Sequence, residues 1–255
     1  MEVTEDMAKS LFEKVLPGCK MYTSNYYPKH KSLKQLIEND LLVIYDDNLI
    51  IVEVKAGSYT YRAPILDIES HIKSLKTLVG EAINQAERTL EYLKTSDTVK
   101  LYNKDSSEKC EISYGDYSEV TLMSLTLDNF NEFASKIEKF KFLNVNKNTM
   151  AISIDDFRVY SEYFDSPIEF LHYLKQRKLS SQDKSLYLND ELYHLGLYID
   201  HNWYHETFDK NMSGIIKPYG YREKLDIYFL SLINNGLEME KPKQYISCKC
   251  QYIFV

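Results

Sequence analysis

Residues 40–55 read DLLVIYDDNLIIVEVK, and the reading of the whole chain turns on them. Two apolar runs, Leu41 to Tyr45 and Leu49 to Val52, flank a short polar turn at Asp46-Asp47-Asn48. Aliphatic runs split by an Asp/Asn turn predict a β-hairpin. Side chains alternate faces along a strand, so Glu53 and Lys55 share one face while Val52 and Val54 share the other. Asp40 stands at the start of the partner strand. Carboxylates and an ammonium gathered on one hairpin can hold a divalent cation and a water, which makes this a candidate hydrolytic site.

Outward from the hairpin, periodicity supplies the other elements. Met7, Leu11, Phe12, Val15 and Leu16 recur at helical spacing, predicting a helix from Glu5 to Leu16 that Thr4 caps and Pro17-Gly18 ends. Cys19 to Tyr27 reads as a strand, followed by a basic loop carrying Lys29, His30, Lys31 and Lys34. Those cations can meet phosphates; a solvated loop is the plainer reading. After the hairpin, Tyr59, Tyr61 and Arg62 sit in a loop where a base could stack, or where the strand simply continues. Asp67 to Leu93 is a long helical pattern with one weak point at Gly80. Strands are expected at 99–103, 109–114 and 119–127, and a helix at 128–140. From Met150 the chain turns mostly helical: a strand at 151–154, a helix capped by Asp155 or Asp156, another begun by Ser166-Pro167, then helices at 191–201 and 222–237. The expected division is therefore an α/β core in 1–147 and a mostly α-helical region, 148–255, packed on the core or following it.

Composition narrows the class. The 255 residues are 44% hydrophobic, enough for a sizeable core. No run approaches the roughly 18 apolar residues of a membrane span, and the acidic start lacks the pattern of a signal peptide. Four cysteines are too few for a disulfide scaffold, so a reduced, cytoplasmic protein without a membrane partner is expected. A net charge of -7 argues against indiscriminate coating of DNA, which needs clustered Lys and Arg. His201 and His205 lie four apart, but Asn202 follows the first where a zinc protease needs glutamate, so two ordinary histidines are the better reading. Cys248-Lys249-Cys250 has no further ligands downstream, and no zinc is expected.

The Asp40 … Glu53-Val54-Lys55 pattern resembles the signature of the PD-(D/E)XK (restriction-endonuclease-like) nuclease superfamily, with Asn39 where the superfamily's name has proline. The order helix, strand, hairpin, helix, strand is similar to its αβββαβ core. The resemblance implies an α/β fold and a metal-dependent nuclease acting on nucleic acid, DNA before RNA, as in effectors of bacterial anti-phage defence. It implies Mg²⁺, with Mn²⁺ as substitute, held by Asp40, Glu53 and the backbone carbonyl of Val54. Lys55 would position the attacking water. A first-helix glutamate completes the metal site in many relatives, and Glu13 is the carried-over position. A glutamine on the helix after the E-x-K strand faces the site, here Gln85, with Arg88 one turn later. Some branches carry tyrosine four residues past that glutamine; this chain has Thr89. Lys31, Lys34, Tyr59, Arg62 and Arg88 are the expected nucleic-acid contacts. The acidic charge suggests a homo-oligomer or protein partner that adds grip. The alternative is a catalytically silent module of the same fold that binds nucleic acid or a protein.

Overall fold

The hairpin forms as its pattern requires. β2 (Leu36–Tyr45) and β3 (Asn48–Lys55) pair antiparallel, from Leu41 opposite Val52 to Tyr45 opposite Asn48. Asp46 turns the chain with φ at 49°, a left-handed conformation that Asp tolerates better than most residues. This computed structural model describes residues 2–29, 33–59, 66–145, 148–183, 185–204, 216–233 and 239–244.

The hairpin lies inside a mixed seven-stranded sheet of order β5-β4-β1-β2-β3-β6-β7. β1 (Lys20–Pro28) pairs antiparallel with β2, and with β4 (Val99–Tyr102), which in turn pairs with β5 (Glu108–Ile112). β6 (Glu119–Thr126) lies parallel to β3, and β7 (Thr149–Ser153) parallel to β6. Parallel neighbours need crossovers, and helices supply them. Between β3 and β4 the chain runs through α2 (Ile68–Leu75), a π-helical turn (Lys76–Gly80) and α3 (Glu81–Leu93). The weak point at Gly80 is thus a widened turn, and the helix continues through it. The class is α/β.

Strand alternation sorts the two faces. Leu41, Val43, Ile50, Val52 and Val54 bury against Ala8, Phe12 and Val15 of α1 (Glu2–Val15). Leu42, Leu49, Ile51 and Leu122 bury against Ala86, Leu90 and Leu93 of α3. Each such aliphatic side chain contributes about 1.5–3 kcal/mol on full burial. α5 (Ile154–Tyr163), α6 (Pro167–Ser181), α7 (Glu191–Asp200) and α8 (Glu223–Ile233) join the face that α1 covers, with the Phe12 and Phe157 rings 4.6 Å apart. The region after residue 147 therefore shares both the sheet and a core with what precedes it. Among the described residues no helix is long and apolar enough to cross a membrane.

Local expectations shift in three places. Thr4 is a buried residue within α1 instead of its cap. Ser153, not Asp155 or Asp156, caps α5, its side chain accepting the Asp156 N–H. The helix expected over 128–140 shrinks to α4 (Asn131–Ala134) and one 3₁₀ turn at Ile137–Lys139. The carbonyl of Ser135 accepts from His194 Nε2 on α7, and the Ser135 hydroxyl donates to Leu188, so tertiary partners take groups a continuous helix would use.

Candidate active site

Regular pairing of β2 with β3 ends at Leu41 and Val52. One residue earlier the Asp40 side chain turns inward, and its Oδ2 accepts the Val54 N–H at 2.7 Å. On the other side the β1–β2 ladder keeps its register but lacks one pair, that of Ser24 and Asp40, between Thr23–Leu41 and Asn25–Asn39. Ser24 has φ at 49°. Lys109 of β5 holds this stretch of β1, its ammonium donating to the carbonyls of Thr23 and Ser24. Asp40 thus lies where regular pairing lapses on both sides.

Glu53 is 1% exposed, and Asn39 Nδ2 donates to its Oε1 at 2.8 Å. The carboxyls of Asp40 and Glu53 are close enough to influence each other's protonation. Burial pushes both above the usual carboxylate range. For Asp40 the Val54 N–H and the Lys55 charge offset part of that rise. For Glu53 the negative charge of Asp40 adds to it. Lys55 is half-buried, and its Nζ donates to Gln85 Oε1 on α3. Asp40, Glu53, Lys55 and Gln85 therefore come together across β2, β3 and α3. Val54 packs on the α1 face, as alternation requires. The N–H and C=O of one strand residue point to the same edge, so the Val54 carbonyl faces β2 with its N–H.

Beside Gln85 a cleft of about 1110 Å³ opens between α3 and β1, lined by Tyr27, Lys29, Gln85, Arg88 and Tyr92 among others. Tyr27 and Tyr92 stack at 4.7 Å between ring centroids, and the Tyr27 hydroxyl pairs with Thr89 Oγ1 at 3.1 Å. Arg88 is exposed at this cleft. Asp40, Glu53 and Lys55 do not line it; Gln85, the partner of Lys55, does.

Other expected residues fall elsewhere. Glu13 lies at the C-terminal end of α1, where its carboxylate accepts the Gly18 N–H at 3.3 Å. The first-helix glutamate that senses Asp40 is Glu5: burial raises its carboxyl, and the charges of Asp40 and Glu38 raise it further. Its available sequence signal was a place beside Thr4, in the buried edge of α1. Tyr59 is withdrawn from any base. It is 8% exposed, its hydroxyl pairs with His71 Nδ1 at 2.7 Å, and its ring packs near Phe130 and Phe133. Lys34 is exposed on the loop between β1 and β2. Lys31, Arg62, His205, Cys248 and Cys250 lie outside the described residues. Asn25 and Lys109 join the site without any motif to announce them, and Asn39 joins it from the position where the resembled pattern has proline. The one hint is polar Asn at interior positions of two adjacent strands.

Among the described residues, no group of three or more His, Cys, Asp and Glu is placed to hold a metal ion. The donor set is two carboxyls and a backbone carbonyl. All are hard oxygen ligands, and the crowding of a buried and a part-buried carboxyl is what a divalent cation relieves.

No protein-family model matches the chain, and no curated protein matches it. Among solved structures, the crystal structure of protein VC1899 from Vibrio cholerae is similar over 65% of this chain and 33% of that one, with a TM-score of 0.30 and 10% sequence identity. The matched portion is thus about a third of that protein's chain.

Proposed function

We propose that this protein is a metal-dependent nuclease of the PD-(D/E)XK type, with a restriction-endonuclease-like core built from α1, β1–β3, α3 and β6. One observation carries the reading. Buried Glu53 meets part-buried Asp40 as a carboxyl pair, with Lys55 beside them and held by Gln85. A structural ion pair would match opposite charges; this group brings like charges together and places a cationic side chain at their edge.

Mg²⁺ or Mn²⁺ fits the donors, with Asp40 and Glu53 as carboxylate ligands and the Val54 carbonyl as a third oxygen. Bound there, the ion would supply Lewis-acid neutralisation of charge on a phosphodiester. Lys55 has donors left after Gln85, and these would orient the attacking water and meet negative charge developing on the phosphoryl oxygens. Gln85 fixes the direction of that ammonium. Glu5, whose carboxyl feels the Asp40 charge, would take the place of the carried-over Glu13 as the helix glutamate of the site. Arg88 and Lys29 at the adjoining cleft are the cations placed to contact a strand's phosphates, DNA before RNA.

The same cleft carries Glu81, Glu87 and Glu91, which favours a second reading, a silent module that binds a protein through this groove. Cleavage separates the two. Supercoiled plasmid, single-stranded DNA and RNA would be incubated with Mg²⁺, Mn²⁺ or EDTA, using wild type beside Glu53→Ala and Lys55→Ala. Cutting that needs the cation and is lost in both variants supports the nuclease. Intact substrate throughout, with no cation bound in calorimetry, sinks it. A role in anti-phage defence rests on the resemblance and is tested by phage plating on cells that express wild type or Glu53→Ala.

A further inference from the structure

We infer that Asn25 and Asn39 form a polarised relay that positions Glu53 to receive its cation. The inference rests on the nuclease reading above. Both asparagines are 0% exposed, and with Glu53 they make a line of buried amides and carboxyl across three strands. Asn39 Nδ2 donates to Val52 O at 3.1 Å and to Glu53 Oε1 at 2.8 Å. Asn39 Oδ1 in turn accepts from Asn25 Nδ2 at 3.2 Å, and that same amide nitrogen donates to Tyr22 O at 2.6 Å.

The direction of the line is forced. A backbone carbonyl can only accept, so Val52 O obliges Asn39 to turn its NH₂ toward β3. Tyr22 O obliges Asn25 to turn its NH₂ the same way round, which leaves Asn39 Oδ1 facing a donor. Two main-chain carbonyls therefore set both amide orientations, and Glu53 Oε1 is held as an acceptor. Its other oxygen remains for Asp40 and the cation. A neutral donor does this without adding positive charge that would compete with the ion. The anchor is tied down as well, because Lys109 donates to the carbonyls of Thr23 and Ser24, the two residues between Tyr22 and Asn25.

Stability alone does not account for the arrangement. Among the described residues, the buried Asn25 Oδ1 has no hydrogen-bond partner, and such unmet acceptors are unfavourable. Apolar side chains at both positions would fill the same space without that penalty. Groups that orient a metal ligand this way typically change cation affinity by about 10–100-fold when removed.

The test is Mn²⁺ titration by calorimetry on the full chain without nucleic acid, for wild type, Asn39→Leu and Asn25→Ala, with thermal melts as the control for folding. Asn39→Leu is expected to keep its fold and bind Mn²⁺ at least about tenfold more weakly. Asn25→Ala should weaken binding in the same direction by less. In cleavage, kcat should fall while KM for nucleic acid stays level, a split that a purely structural role would not produce. Folded variants that bind Mn²⁺ as wild type does overturn the relay and leave the nuclease reading standing. Should Asn39→Leu fail to fold, Asn25→Ala decides by the same criterion. Wild type that binds no Mn²⁺ overturns the nuclease reading and the relay with it.

Discussion

Two glutamates are buried in this fold to nearly the same degree, Glu53 at 1% and Glu191 at 0% exposure, and their surroundings are opposite. Glu191 on α7 receives Arg177 Nε at 2.8 Å and a second guanidinium nitrogen at 3.0 Å, with the Tyr160 hydroxyl at 3.1 Å. Burial raises its carboxyl, Arg177 and Tyr160 offset part of the rise, and Glu138 adds a little to it. Glu53 also rises through burial, but the next influence is Asp40, which raises it again ahead of the offset from Asn39 and Lys55. One carboxylate has a bidentate cation built against it. The other stands first against a like charge. That difference separates a structural ion pair from a site built to take a cation, and burial alone does not tell them apart.

The comparison breaks most visibly at Glu191→Gln. The substitution leaves Arg177 charged in a dry interior, where its Nη1 already has no partner among the described residues. Removing one member of such a pair costs about 3–5 kcal/mol, so the melting temperature should fall by roughly 10 °C. An unchanged melt would mean that Glu138, whose charge Arg177 also feels, takes over the pairing. The next effect is on chemistry. Lys55→Ala should lower the cleavage rate by about 10²–10³-fold, the loss typical of one well-placed charge-stabilising donor, with the melt nearly unchanged. A Lys55→Ala enzyme that cuts at the wild-type rate would place the catalytic cation elsewhere.

Asp156 stands between the two cases. Burial pushes its carboxyl up to about 7; Ser153 offsets part of the rise, and Glu191 and Asp190 add to it. Its Oδ2 has no hydrogen-bond partner among the described residues. The folded value lies above the ordinary one of about 3.9, so the native state holds this proton longer than the unfolded chain does. Its contribution to stability is therefore full below about pH 4 and is lost as pH rises through about 7. Asp156→Asn removes the ionisation, and the variant's advantage in melting should widen by up to about 3 kcal/mol between about pH 5 and pH 8. Parallel pH profiles for the two proteins would show that Asp156 stays ionised in the fold.

Much of this site was legible in sequence because it is local. The hairpin follows from two aliphatic runs about an Asp/Asn turn, and Glu53 and Lys55 share a face by alternation alone. Gln85 reaches Lys55 from a helix whose periodicity is long and clear. What stayed hidden depends on contacts distant in the chain. Asp40 stands opposite Ser24, where the pairing of β1 with β2 lapses, and the Ser24 carbonyl is held by Lys109, 85 residues on. Glu5 and Glu13 are both acidic positions on one amphipathic helix, and only the packing of α1 on the sheet chooses between them. The helix expected at 128–140 fails because Ser135 gives its carbonyl to His194, 59 residues later. Tyr59 looked like a stacking platform because its loop is polar, yet His71 and Phe133 draw it inside.

The smallest effect is the one that sharpens the comparison furthest, because it is expected to have the opposite sign at the second glutamate. Glu53→Gln keeps the shape of the side chain and its acceptor for Asn39, and it removes one of two negative charges that burial forces together. The new amide can also donate to Asp40, turning a repulsive neighbour into a hydrogen-bonded one. Near neutral pH and without divalent cation, Glu53→Gln should therefore melt higher than wild type by a few degrees, about 1 kcal/mol, while losing cleavage and weakening Mn²⁺ binding. Adding Mn²⁺ should reverse the order of the melts, because only the wild type retains both carboxylates to stabilise the ion, and whatever binds the native state alone raises its stability. The same Glu→Gln change would then destabilise at 191 and stabilise at 53, which is the behaviour of one charge that is paired and one that waits for a partner. If Glu53→Gln instead melts lower with cation absent, Glu53 is already paired inside the fold, and the open charge from which the nuclease was inferred is closed.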